Sequence, residues 1–215
     1  ALQSGAAIVQ VNALRRRISR LKGGGLARIA MGRRTHALMI SDVPGDDPRI
    51  IGSGLLHAFP HEPAGAPGMA ALSPELRDFL DRLHSSPRNH ADVPAVPVRI
   101  VASAGAACRA AAAAARAQGL QVRLVRTRID GDAAKLGVRF VASLARQSAG
   151  IVQVRGGEST VSLPAQPGRG GRNQHLALAA ALELERRGLQ DVGLLAVGTD
   201  GIDGASSDAG ALVDA

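Results

Sequence analysis

Apolar residues recur at helical spacing near the start of the chain. Ile8, Val11, Ala13, Leu14, Ile18 and Leu21 fall near one face of residues 6–21, and arginines occupy the other. This predicts a helix, ended by Gly23-Gly24-Gly25. The run His36–Ser41 is short and apolar and precedes an acidic turn, the pattern of a buried strand. Residues 55–72 mix prolines, glycines and histidines without periodicity and read as a loop. Ser73-Pro74 opens a helix to about His84, with serine as the cap and proline in the first turn. After a Pro-rich connection over Pro87–Pro97, Val98–Ser103 reads as a strand. Cys108–Gln118 follows as an alanine helix closed by Gly119, and Leu120–Val125 as a further strand. That βαβ succession implies parallel strands with a right-handed crossover.

Asp130 is placed to cap a helix running to about Arg146. Ile151–Val154 and Thr160–Leu163 read as two short strands around a Gly156-Gly157-Glu158 turn. A helical pattern over His175–Arg187 stops at Gly188, and Val192–Val197 is a final strand. The expected fold class is α/β: a Rossmann-like parallel-sheet part over residues 1–145 and a second, smaller α/β part over 146–215.

Composition narrows the class. With 46% hydrophobic and 20% charged residues the chain has the balance of a soluble globular protein. No apolar run approaches a membrane span, and the first residues lack the regions of a signal peptide. Cys108 is the sole cysteine, so no intrachain disulfide forms and a reducing, cytoplasmic setting fits. Within its alanine-rich run it reads as a small buried hydrophobe. The net charge of +8 raises the reading of a basic nucleic-acid-binding module. The arginines are scattered, however, lysine occurs only at Lys22 and Lys135, and Tyr and Trp are absent, so no stacking platform is built. A basic surface meeting anionic small molecules accounts for the charge as well.

Four segments carry candidate chemistry. In Gly168-Arg169-Gly170-Gly171-Arg172-Asn173-Gln174 the glycines let the backbone approach a ligand, and the arginines offer planar forks to a carboxylate or phosphate. The helix that follows turns its free N–H groups toward the same loop. The plain alternative is a solvated basic turn. Ser41-Asp42-Val43-Pro44-Gly45-Asp46-Asp47 follows a strand, where hard oxygen ligands suit Mg²⁺. A Pro-Gly turn with solvated acids fits Asp46 and Asp47 equally, which leaves Asp42 the better candidate. Asp200, Asp203 and Asp208 occupy a glycine-rich loop after a strand, suited to a metal–nucleotide complex or substrate hydroxyls, or to ordinary Asx turns. Lys22 either reaches a phosphate or complements its helix dipole. There is no Gly-x-x-x-x-Gly-Lys-Ser/Thr loop, no Gly-x-Gly-x-x-Gly after a strand and no Cys/His cluster for zinc.

Ile40–Pro48, Val154–Val161, Gly168–Gln174 and Val197–Gly204, in this order and joined by Asn12–Gly25, resemble the glycerate kinases of the second class. Their C-terminal part is the MOFRL domain, and such proteins often bear the name hydroxypyruvate reductase. The resemblance implies transfer of the γ-phosphoryl group of ATP to D-glycerate, at position 2, with Mg²⁺. It places the active site in a cleft between the two parts, the second being the MOFRL domain. It implies that Arg172 and Glu158 face that cleft, with Lys22 as a further catalytic candidate. Arg169, Gly170, Gly171, Asn173, Ser53, Asp200 and Asp203 would bind substrate or phosphate, and Asp42 and Asp46 the metal. Partners are then D-glycerate and ATP, with no nucleic acid and no membrane, and there is room for a homodimer. Three departures stand out: Leu55 where the family has proline, Arg155 where serine is common, and His175 where glutamate is common. The last two shift local charge toward positive, with His175 expected on the helix surface. Family members extend well beyond this chain and carry a Gly/Ser-rich loop and a catalytic lysine in their N-terminal portion, so these 215 residues alone are expected to be inactive. The rival enzymatic reading is an NAD(P)H-dependent hydroxypyruvate reductase.

Overall fold

The computed structural model describes residues 8–58, 74–75, 78–79, 82 and 93–215. Their elements run α1 (Ile8–Ile18), α2 (Gly25–Ile29), β1 (Ala37–Ser41), β2 (Val98–Ser103), α3 (Ala104–Ala117), β3 (Gln121–Leu124), β4 (Ile129–Asp132), α4 (Ala133–Leu144), β5 (Ile151–Val154), β6 (Gly157–Thr160), α5 (Arg172–Arg187), β7 (Gly193–Val197) and β8 (Gly210–Asp214). The fold is mixed α/β with parallel strand pairs. It divides into two compact units, Ala1–Ser103 and Ala104–Ala215. Most of the expected 55–72 loop, and most of the helix from Ser73, lie outside the described residues. Pro74, Glu75, Asp78, Phe79 and Arg82 are helical.

In the first unit β1 and β2 pair in parallel, with an irregularity between Met39 and Ile40. The expectation of a buried strand is corrected here: Leu38 and Ile40 are 73% and 74% exposed, while Ser41 is buried. Strand alternation puts Leu38 and Ile40 on the same face, and within this unit that face is open. Gly23 to Gly25 do more than end α1. Gly24, at φ 82°, starts α2, and its N–H bonds the Gly54 carbonyl at 2.7 Å.

In the second unit β3 pairs with β5 and β4 with β6, both in parallel, while β7 and β8 are antiparallel. The strands on either side of the alanine helix each find another partner, β2 pairing with β1 and β3 with β5. Two local readings also change. The cap of α4 is Asp132, whose carboxylate accepts the Lys135 N–H, and Asp130 lies in β4. The second short strand is Gly157–Thr160, so Glu158 sits within a strand opposite Asp130 rather than in a turn.

The core of this unit is the α4–α5 contact, closed by β7 and β8. Leu136, Val141, Leu176, Ala177, Ala180 and Leu184 are buried along it. The helices approach through Gly137: a Cβ there would lie 2.4 Å from the Leu176 carbonyl oxygen and 3.0 Å from the Ala180 nitrogen. Helix propensity alone favours Gly137→Ala by about 1 kcal/mol. Backbone atoms cannot yield, so overpacking by about 1–3 kcal/mol should outweigh it. A lowered urea midpoint is expected; an unchanged or raised midpoint would show that the helices part freely.

Glu183, 5% exposed on α5, is held by Arg186 and Arg187. Their hydrogen bonds lower its pKa from 4.5 to about 2. Because the folded value is depressed, the stabilisation is present above pH 4.5 and disappears as pH falls toward 2. The melting temperature of Glu183→Gln should therefore lie below that of the unsubstituted protein at neutral pH and converge on it in acid. A gap independent of pH would refute this.

Candidate functional site

The N-terminus of α5 organises the site in the second unit. The helix begins at Arg172, three residues before the pattern that starts at His175, with Gly171 as N-cap in extended conformation. His175 is exposed on the helix surface, as expected. Gly170 has φ 121°, a conformation that favours glycine. A Cβ on Gly171 would meet the Asp203 carboxylate at 2.4 Å. The glycines thus let a loop close against protein rather than against a ligand.

Asp203 is the reason. It is 2% exposed, and its Oδ1 and Oδ2 accept the backbone N–H groups of Asn173 and Gln174 at 3.0 and 2.8 Å. These are the N–H groups expected to cradle an external anion. An internal carboxylate supplied 30 residues later along the chain already satisfies them. Around it, Ala205 N–H donates to the Gly170 carbonyl at 3.1 Å, and Gln174 Nε2 to Ser206 Oγ at 2.7 Å. Asp203 is therefore a cap that locks the 198–206 loop to the glycine loop. Asp200 remains exposed, its Oδ1 accepting the Ile202 N–H at 3.4 Å in an Asx-type turn. The backbone N–H of Asn173 is taken by Asp203.

Arg172 projects outward from the first helical position. Its Nη1 donates to Glu158 Oε1 at 2.6 Å and to the Ser159 carbonyl at 3.4 Å. Nε and Nη2 have no hydrogen bond among the described residues. Arg128, which the sequence reading passed over, brings Nη2 to 3.9 Å from Glu158 Oε2. It precedes β4, and only the β4–β6 register places it beside Glu158. Arg169 is exposed on the same loop. Net positive charge and open guanidinium donors fit an anionic group of a substrate. Arg155 takes no part in this pair; it turns toward Gln153 and Ser143.

In the first unit Lys22 Nζ donates to the Gly52 carbonyl at 2.9 Å. Ser53 is buried and its hydroxyl donates to Asn12 Oδ1 at 3.3 Å, so it braces the loop against α1. Asp47 is engaged by Arg49, whose hydrogen bonds lower its pKa to about 2. Asp42 is exposed just after β1, and Asp46, at φ 53°, is half-buried. No group of three or more His, Cys, Asp or Glu gathers among the described residues. Asp42 and Asp46 are the carboxylates of this turn that could contribute to holding a hard cation such as Mg²⁺. No helix among the described residues is long and apolar enough to cross a membrane.

Two family models match separate parts of the chain. Residues 1–69 match a family described as a domain of unknown function (DUF4147), and residues 151–215 match the MOFRL family. A protein of Agrobacterium vitis bearing a provisional hydroxypyruvate reductase name is 40% identical over 99% of this chain and 50% of its own length. The D-glycerate 2-kinase of Thermotoga maritima is 32% identical over 99% of this chain and 52% of its own. The crystal structure of glycerate kinase from Thermotoga maritima superposes with a TM-score of 0.77 at 27% identity, covering 99% of this chain and 52% of that one. The chain spans about half the length of these relatives.

Proposed function

We propose that the chain is part of a MOFRL-containing glycerate kinase of the second class, and that the complete protein transfers the γ-phosphoryl group of ATP to D-glycerate, giving 2-phosphoglycerate. Residues 1–145 would be the C-terminal part of its Rossmann-like kinase domain and 146–215 its MOFRL domain. The observation that carries the reading is the Arg172–Glu158 pair, set at the head of α5 with two guanidinium nitrogens still open.

Phosphoryl transfer depends on positioning and on neutralising charge. Arg172 would grip the substrate carboxylate or the transferring phosphoryl oxygens, and Glu158 would hold the guanidinium in plane or accept a substrate hydroxyl. Arg169 adds positive charge on the same loop, and Asp200 offers an exposed carboxylate to glycerate hydroxyls. Asp203 and Ser53 keep their loops in place from within. Mg-ATP would supply the phosphoryl group and the metal would help neutralise its charge; Asp42, with Asp46, would hold the metal, and Lys22 would extend toward phosphate.

The test is ADP release by the complete gene product with Mg-ATP, with and without D-glycerate. Glycerate-dependent release supports the reading, and folded protein with none above background sinks it. The name carried by the Agrobacterium vitis relative keeps a second reading in view. Oxidation of NADH or NADPH on adding hydroxypyruvate would favour a reductase, and no oxidation is expected.

A further inference from the structure

Two arginines apart from the Glu158–Arg172 pair stand together without a counter-charge. β3 and β5 run in parallel with Arg123 opposite Gln153. Arg155 lies two residues beyond Gln153, so the strand period returns its side chain to the same face. The two side chains are near enough for the charge of Arg123 to be felt at Arg155.

Arg155 is held firmly. Its Nη2 donates to Gln153 Oε1 at 2.7 Å and to Ser143 Oγ at 3.1 Å, and its Nε to Gln153 Oε1 at 3.2 Å. The guanidinium carbon lies 4.9 Å from the centre of the Phe140 ring, a cation–π distance. Gln147 braces Gln153 in turn and anchors itself on the Ile151 carbonyl at 2.8 Å.

Every one of these partners is neutral. None of the ion pairs among the described residues takes in Arg123 or Arg155. Burial, with the charge of Arg123 added, presses the pKa of Arg155 below the ordinary guanidinium value. A half-buried cation beside a second cation is unfavourable until an anion arrives. Nη1 of Arg155, with no hydrogen bond among the described residues, is the donor left for it. Both arginines also stand at the carboxyl ends of adjacent parallel strands, Arg123 within β3 and Arg155 just after β5. Open α/β sheets receive ligands at such ends.

We propose that Arg123 and Arg155 form a phosphate-binding seat at the carboxyl ends of β3 and β5, for a doubly charged phosphate group either free or carried by a nucleotide. A dianion matches two guanidinium charges, whereas a single carboxylate leaves one unmatched. The seat uses neither Arg172 nor Glu158, so it goes beyond the kinase reading and does not depend on it.

The complete protein, Arg123→Gln and Arg155→Gln are titrated calorimetrically with inorganic phosphate, with ADP, and with acetate as a control. Saturable binding of phosphate or ADP is expected in the unsubstituted protein, weakened about tenfold in each variant, with none of acetate. Arg123 is exposed and outside the bracing network, so its variant decides the matter if Arg155→Gln fails to fold. Weakening of inorganic phosphate identifies a seat for the free ion; weakening of ADP alone identifies a nucleotide phosphate. Neither ligand binding the unsubstituted protein, or both keeping their affinity in Arg123→Gln, overturns the proposal. Glycerate-dependent ADP release is measured on the same preparations. A seat lost on substitution in protein without kinase activity leaves this inference standing while the kinase reading fails.

Discussion

Arg172→Ala in the complete protein is expected to lower glycerate-dependent ADP release on the order of 100- to 1,000-fold, the usual loss when one preorganised charged donor is removed from a transfer site. The residue stands at the first position of α5 with its side chain 45% exposed. Its contact with Glu158, itself 52% exposed, is of the surface kind that contributes about 0–1 kcal/mol. The fold should therefore survive, and the melting temperature should scarcely move. Separate readouts distinguish the two roles open to this side chain. A loss in kcat places it on the transferring phosphoryl group, and a rise in KM for glycerate places it on the carboxylate. Arg172→Lys should recover only part of the rate, because an ammonium lacks the planar fork. Turnover by Arg172→Ala within about threefold of the unsubstituted rate would be too small a change for that role, and would remove the glycine–arginine loop from the mechanism.

Asp203→Ala should give the largest loss of stability, on the order of 3 kcal/mol or more. Two hydrogen bonds to one charged carboxylate vanish together, and two donors at a buried helix end are left without partners. The side chain is 2% exposed, so water does not readily replace it. Asp203→Asn should fall between, since it keeps one acceptor but turns an amide N–H toward a backbone N–H. A lowered urea midpoint is the first measurement. Faster amide hydrogen exchange at Asn173 and Gln174 would locate the effect at the helix start. If the midpoint of Asp203→Ala did not change, the cap would not be what joins the 198–206 loop to the glycine loop.

Much of this architecture can be read from local pattern. β2 coincides with the predicted run Val98–Ser103, β5 with Ile151–Val154, and the end of α5 with Gly188 at φ 60°. In each case the signal is a contiguous apolar run or a residue whose backbone freedom marks a stop. β4 escaped notice for the opposite reason. Ile129-Asp130-Gly131-Asp132 carries one apolar residue, and only pairing with Gly157–Thr160 makes it a strand.

The candidate site divides in the same way. The sequence by itself determined the class of fold and the glycine–arginine loop with Arg172, because glycine and guanidinium chemistry is local to the residue; Glu158 stood out only through the family resemblance. Tertiary structure alone decided that Glu158 meets Arg172 at 2.6 Å and that Arg128 approaches from a neighbouring strand. It also decided that Asp203, rather than a ligand, fills the start of α5, and that Gly137 lets two helices touch. Strand register, distant capping and helix contact depend on which parts of the chain come together in space, and that is set by burial of the whole core rather than by neighbours along the chain.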